Sequence, residues 1–172
     1  RPARPTQADL GHQVYLQICM ACHGDYGQGL TDEWRAVWGE EDSNCWQSGC
    51  HHYDHPPWGF QIDRSCCVAV IGPGTLQRFK NGQELFDYIS TYMPWWKPGY
   101  LTTEEFWQVT NYLMRANGAI PDGVTLDAGN AFIFNLHPES PPPKDNHWQA
   151  LLVAGLLSVI AGLLYLQNKF SA

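Results

Sequence analysis

The sequence predicts an all-α domain with one long loop insertion, followed by an extended linker and a single membrane-spanning helix. Three observations predict this. Strand signals are scarce, three short segments repeat apolar residues at helical spacing, and an uncharged run of 19 residues lies near the C-terminus. The expected domain is 1–118 with its insertion at 30–70, the linker is 119–147, and the span is 148–168.

The first expected helix covers 11–19, with Val14 and Ile18 four apart, Tyr15 beside them and Asp9 as a possible N-cap. The second covers 83–92. Its apolar stripe is Leu85, Phe86 and Ile89, and it stops at Met93 because the ring of Pro94 disfavours helical backbone in the residue before it. The third opens at Thr102 with Glu104 and Glu105 in its first turn. Phe106, Val109, Leu113 and Ala116 follow at three- and four-residue steps, and Gly118 ends it. From Asn117 to His147 the chain is rich in Gly, Pro, Asp and Asn. Pro141, Pro142 and Pro143 favour a stiff, extended polyproline conformation, so this segment reads as a tether. Its apolar run, Ala131 to Leu136, is expected to dock on the domain or on a partner.

Trp148 to Leu166 carries no charge, and a helix of that length reaches roughly 28 Å, close to the hydrocarbon thickness of a bilayer. Trp148 and Tyr165 sit near its two ends, where aromatic rings favour the headgroup level. Ala150, Ala154, Ser158 and Gly162 recur every four residues, a small-residue row that lets another helix approach closely. Lys169 on the tail and Lys144 on the other flank leave the charge rule undecided about orientation.

With 17 acids against 10 Lys and Arg, the formal charge is −7, and a nucleic-acid-binding surface is excluded because such surfaces concentrate basic residues. Acids gather early, at Asp25, Asp32, Glu33, Glu40, Glu41, Asp42 and Asp54, opposed by Arg35. That run reads first as a solvated face and second as a docking patch for a basic partner. Arg1 is not an initiator Met, so the sequence is expected to begin after processing or trimming.

The most specific motif is Cys19-Met20-Ala21-Cys22-His23, the attachment pattern for c-type haem. A three-residue spacing on a helix puts both sulfurs on one face, where each can add to a haem vinyl group, and His23 follows in place to ligate the iron. A thioredoxin-like pair needs a strand–helix context that is absent here, and a zinc site needs a second pair. Covalent haem is assembled outside the cytoplasm, which puts the domain on the outer side of a bacterial membrane and the C-terminus in the cytoplasm. For the second axial ligand Met93 is favoured. A thioether suits an electron-transfer haem, Met20 lies inside the attachment motif, and Met114 is embedded in the third helix. The bland reading of Met93 is core filler.

Three blocks resemble class I cytochromes c. They are Gly11 through Tyr15 to Cys19, Cys22, His23 and Gly24, then Ile71-Gly72-Pro73-Gly74-Thr75-Leu76, then Met93-Pro94 through Leu101-Thr102 and Glu104-Glu105 to Tyr112-Leu113. The resemblance implies that fold, with one covalent haem c and with the first and third helices crossing near Gly11, where Tyr15 meets the Tyr112–Leu113 region. It also implies that the carbonyl of Pro73 accepts the second ring N–H of His23 and fixes its tautomer. Trp95, Trp96, Arg78 and Lys97 are plausible partners of the propionates.

The insertion departs from that pattern. It holds Cys45, Cys50, Cys66 and Cys67, with His51, His52 and His55 among them. A bond between neighbouring Cys66 and Cys67 is strained, so Cys45 and Cys50 are each expected to pair with one of the later two in an oxidising compartment. The alternatives are a Cys/His zinc site, and His52 or His55 in place of Met93 on the iron.

More narrowly, a monohaem domain with a cysteine-bearing insertion and a terminal span resembles the monohaem cytochrome subunit of bacterial alternative complex III. That resemblance implies a non-enzymatic subunit of a respiratory or photosynthetic quinol-oxidising membrane complex. Electrons would arrive from neighbouring subunits and leave to a soluble cytochrome c or blue-copper protein. The competing readings are a peroxidase-like haem enzyme, the cytochrome subunit of a terminal oxidase or nitric oxide reductase, and a thiol redox sensor in the insertion.

Overall fold

The computed structural model describes residues 4–63 and 66–137. The expected span at 148–168 and the triple proline lie outside the described residues. Among the described residues no helix is long and apolar enough to cross a membrane.

Thr6 opens helix α1, Gln7–Val14, with a capping box. Its hydroxyl accepts the Asp9 amide at 3.2 Å, while the Asp9 carboxylate accepts the Thr6 amide at 2.9 Å. Asp9 is therefore the third helical residue and not the cap. The helix continues through a π turn, Tyr15–Cys19, into the short α2, Met20–His23, so the expected 11–19 helix is longer at both ends. A second short helix, α3, spans Asp32–Ala36 in the insertion. Asn81 caps α4, Gly82–Tyr92, by accepting the Glu84 amide, and α4 ends before Met93 as its proline dictates. Thr102 and Glu105 form a second capping box on α5, Thr103–Ala116. Beyond one isolated antiparallel bridge, Asn81 to Asn135, no strand forms among the described residues, and the fold is all-α there.

Helices α1 and α5 cross at Gly11. A Cβ there would lie 1.9 Å from the Gln108 carbonyl oxygen, so the backbones approach as only glycine allows. Tyr15 and Tyr112 meet beside the crossing with ring centroids 5.2 Å apart, as the family resemblance implied. Against α5 lies α4, where Phe86 stacks on Trp107 at 3.7 Å. Leu85, Val109 and Met114 are buried between these helices.

The first part of the expected tether, 119–137, packs on the domain. Ile120, Leu126, Ala131 and Leu136 are buried in the same core, and the run that begins at Ala131 docks on the domain itself. The Gly82 amide donates to the Phe134 carbonyl at 3.2 Å and the Leu136 amide to the Lys80 carbonyl at 2.9 Å. Buried Asn111 donates to the Val124 carbonyl at 2.8 Å and bonds the side chain of Gln7, tying this segment to both terminal helices. Apolar residues spaced among glycines and prolines read as linker, yet each fills a gap in the helical core.

Candidate functional site

A cleft of about 540 Å³ opens between the helical frame and the insertion. One side is lined by Tyr15, Ile18, Cys19, Cys22 and His23 from the first helical run, with Leu85 and Ile89 of α4 and Val109 and Leu113 of α5. Phe60, Ile62, Cys66, Cys67, Val68 and Ala69 line it from the insertion, and Met93 to Trp96 with Gln77 and Arg78 complete the rim. The walls are apolar and the polar groups few, the composition expected of a small-molecule site.

The π turn delivers the attachment motif to this cleft. Tyr15 is buried, and its hydroxyl donates to the Gly24 carbonyl at 2.7 Å, clamping the residue after His23. Burial pushes the Tyr15 phenol up, so it keeps the proton it donates. Burial also pushes the Cys19 thiol up to about 12 and raises that of Cys22, with Cys45 nearby adding to the second shift. Burial therefore favours the neutral thiol at both positions.

Burial lowers the His23 pKa, which favours the neutral imidazole. Its Nδ1 pairs with the Val68 carbonyl at 2.8 Å, which assigns the proton to Nδ1 and leaves Nε2 with a free lone pair. The expected acceptor was the carbonyl of Pro73, and the structure corrects this. The Gly72–Thr75 turn is tied instead to the end of α5, with the Gly72 amide donating to Asn117 Oδ1 at 3.0 Å. Pro73 is exposed and does not line the cleft.

Met93 lines the cleft with His23, Cys19 and Cys22, so four of the five residues singled out for cofactor binding share one cavity. Trp95, Trp96 and Arg78 line it too. The Arg78 guanidinium rests 3.8 Å from the Tyr88 ring centroid, and the Trp95 indole donates to the Gln61 carbonyl at 3.0 Å. Lys97 does not reach the cleft; its ammonium sits over the Tyr100 ring. His51 and His55 bond backbone carbonyls of their own loop and His52 bonds Asp54, and none of the three lines the cavity. Among the described residues no group of three or more His, Cys, Asp or Glu side chains is placed to hold a metal ion.

The cysteine pairing differs from expectation. Cys66 and Cys67 are joined to each other, and Cys45 and Cys50 are free. Cys67 adopts a left-handed backbone, φ 72°, which accommodates a bond between neighbours. The turn that holds Cys45 and Cys50 is closed by the His51 amide on the Cys45 carbonyl at 3.1 Å, and Cys45 lies near Cys22. Within the acidic run, Asp32 pairs with Arg35, and the Ser48 hydroxyl holds the Asp54 carboxyl below its ordinary value, so part of that run serves the loop itself.

Two contacts had no signature in the sequence. The Val68 carbonyl acts through its backbone, so no side chain announces it. Trp34 sends its indole N–H to the Ala21 carbonyl inside the attachment motif at 3.3 Å, joining insertion to motif. A buried indole needs an acceptor, but its identity depends on the fold.

No family model and no curated protein matches the chain. Among solved structures it is similar to the sulfane dehydrogenase SoxCD from Paracoccus pantotrophus, at 19% identity and a TM-score of 0.47. The similarity covers 83% of this chain and 59% of that one. An overlap of that extent carries neither fold nor function across.

Proposed function

We propose that this chain is a c-type cytochrome, a one-electron carrier with a single haem bound through Cys19 and Cys22 and ligated by His23 and Met93. The observation that carries the reading is that Met93, from a distant part of the chain, shares one apolar cleft with Cys19, Cys22 and His23 of the attachment motif. The donor set fits an iron porphyrin: two sulfurs at the attachment spacing, a neutral imidazole with a free Nε2, a thioether, and apolar walls for a planar macrocycle. When bound, that group supplies a one-electron couple at the iron.

The chain's own residues hold and insulate it. Val68 keeps the His23 ring in one tautomer, the Tyr15–Gly24 bond fixes the chain beyond it, and Leu85, Ile89, Val109 and Leu113 keep water away. Trp95 and Trp96, 58% and 43% exposed, and Arg78 border the opening, where a partner would approach. Membrane attachment through 148–168, and membership of a quinol-oxidising complex that passes electrons to a soluble carrier, belong to the same proposal. The uncharged run and its small-residue row support them.

The test is extraction in acid–acetone followed by mass measurement and spectra. The pigment stays with the polypeptide, and Met93→Ala abolishes the Met–iron charge-transfer band of the oxidised protein and lets carbon monoxide bind the reduced form. Pigment that dissolves away refutes covalent attachment, and an unchanged Met93→Ala spectrum refutes the thioether ligand. Subunits that co-migrate in mild detergent identify the complex.

A further inference from the structure

The strip of cleft wall at Cys66–Ala69 holds a disulfide next to the histidine. The Cys66–Cys67 disulfide lines the cavity, and one residue further on the Val68 carbonyl accepts His23 Nδ1 at 2.8 Å. Val68 has little other anchorage, because its side chain is 62% exposed. The direction of its carbonyl therefore follows the backbone of Cys67. That residue sits at φ 72°, a left-handed conformation that a residue with a Cβ avoids unless its surroundings impose it. The covalent ring to Cys66 imposes it from one side. From the other, the Leu30 amide donates to the Cys67 carbonyl at 2.9 Å, and Gly29 packs so closely that a Cβ would lie 2.7 Å from the Ala69 nitrogen.

We propose that Cys66–Cys67 is a thiol–disulfide switch whose state sets the hydrogen bond between Val68 and His23, and through it the midpoint potential of the haem. The switch rests on the cytochrome reading above. A dithiol reductant of the thioredoxin class supplies two electrons and two protons. The Cys66–Cys67 S–S bond breaks, both sulfurs become thiols, and the reductant's own pair closes to a disulfide. Cys66, half-buried where Cys67 is buried, is the residue that the reductant reaches first. Opening frees Cys67 to leave the left-handed region and turns the Val68 carbonyl away from His23. An imidazole that donates Nδ1–H to a carbonyl is a more basic ligand and favours ferric iron, so losing that bond raises the midpoint.

The full-length haem protein in mild detergent tests this with three measurements. Alkylation without reductant leaves Cys66 and Cys67 unlabelled, and alkylation after dithiothreitol labels both. The midpoint of Cys66→Ser/Cys67→Ser lies above that of the wild type, whereas Cys45→Ser/Cys50→Ser stays at the wild-type value. The His23 ring N–H exchanges with solvent several-fold faster in the open form. If the serine pair fails to fold, dithiothreitol-opened, alkylated wild type gives the same comparison. Labelling of the pair without reductant overturns the proposal, and so does an unchanged midpoint once the bond is open. Pigment lost to acid–acetone would instead defeat the haem reading and carry the switch down with it, whatever the labelling pattern.

Discussion

The helical frame and the 30–70 insertion contribute walls to the same cleft, yet different interactions hold them. In the frame, Tyr15, Leu85, Val109, Met114, Leu126 and Ala131 are each at most 1% exposed and pack on one another. In the insertion Trp34 and Ile62 are buried, while Tyr53 and Trp58 stand 75% and 87% exposed. Its order comes from hydrogen bonds: Trp46 to the Asp63 carbonyl at 2.7 Å, Ile62 to the His51 carbonyl at 3.0 Å, and Trp34 to the Ala21 carbonyl. Burial of apolar area is cooperative and large, whereas each exposed hydrogen bond exchanges one partner for water and yields little net. The frame therefore sets global stability, and the insertion can open locally without unfolding it.

Removing one packed side chain from the frame gives the largest expected effect. Met114 is fully buried, its methyl group packs against Gly82 of α4, and it lies outside the cleft. Met114→Ala is expected to cost about 2–5 kcal/mol, measured by thermal or urea unfolding, because truncating a fully buried side chain leaves a cavity in the core. A loss below about 1 kcal/mol would mean that the frame is no better packed than the insertion.

An intermediate effect is expected where the two regions meet. Trp34→Phe keeps an aromatic ring but removes the N–H that holds the insertion to Ala21. The expected cost is about 0.5–1.5 kcal/mol, since the freed carbonyl, on an exposed residue, can turn to water. Limited proteolysis should show faster cleavage within 37–63 at an unchanged rate elsewhere. Equal acceleration across α4 and α5 would show that the insertion is part of the global folding unit.

The same contrast explains what the sequence made legible. Helices announced themselves through the spacing of Phe106, Val109 and Leu113, the Thr102–Glu105 box and the stop at Pro94, all of which are local. Cys19, Cys22, His23 and Met93, which line one cleft, stood out in the sequence because their chemistry is in their side chains. Pro73 and the cysteine pairing were misread. Which carbonyl meets His23, and which sulfur meets Cys66, depend on how a hydrogen-bonded loop runs in space, and no periodicity encodes that path. The segment 119–137 was misread for a related reason: Leu126 and Leu136 are isolated apolar residues whose burial is visible only against the finished frame.

The smallest expected effect distinguishes the frame's own ends from its middle. The Thr6 hydroxyl and amide hold the Asp9 carboxyl below its ordinary value of 3.8, and the Thr102 amide and hydroxyl hold Glu105 below 4.5. Both carboxyls bind protons less readily when folded, so the stability they lend is fully present above about pH 4.5. It is lost as the pH falls through their folded values, because the unfolded chain then binds protons that the native one resists. Both groups are solvent-exposed, so the effect is small. Thr102→Ala should cost about 0.5 kcal/mol at pH 7 through the lost cap and should flatten the decline in thermal midpoint between pH 5 and pH 3. Met114→Ala should lower the midpoint at every pH and leave that slope unchanged. If the two variants shared one pH dependence, the acid sensitivity would belong to the packed middle of the frame, and the division between apolar packing and polar hydrogen bonding would have to be redrawn.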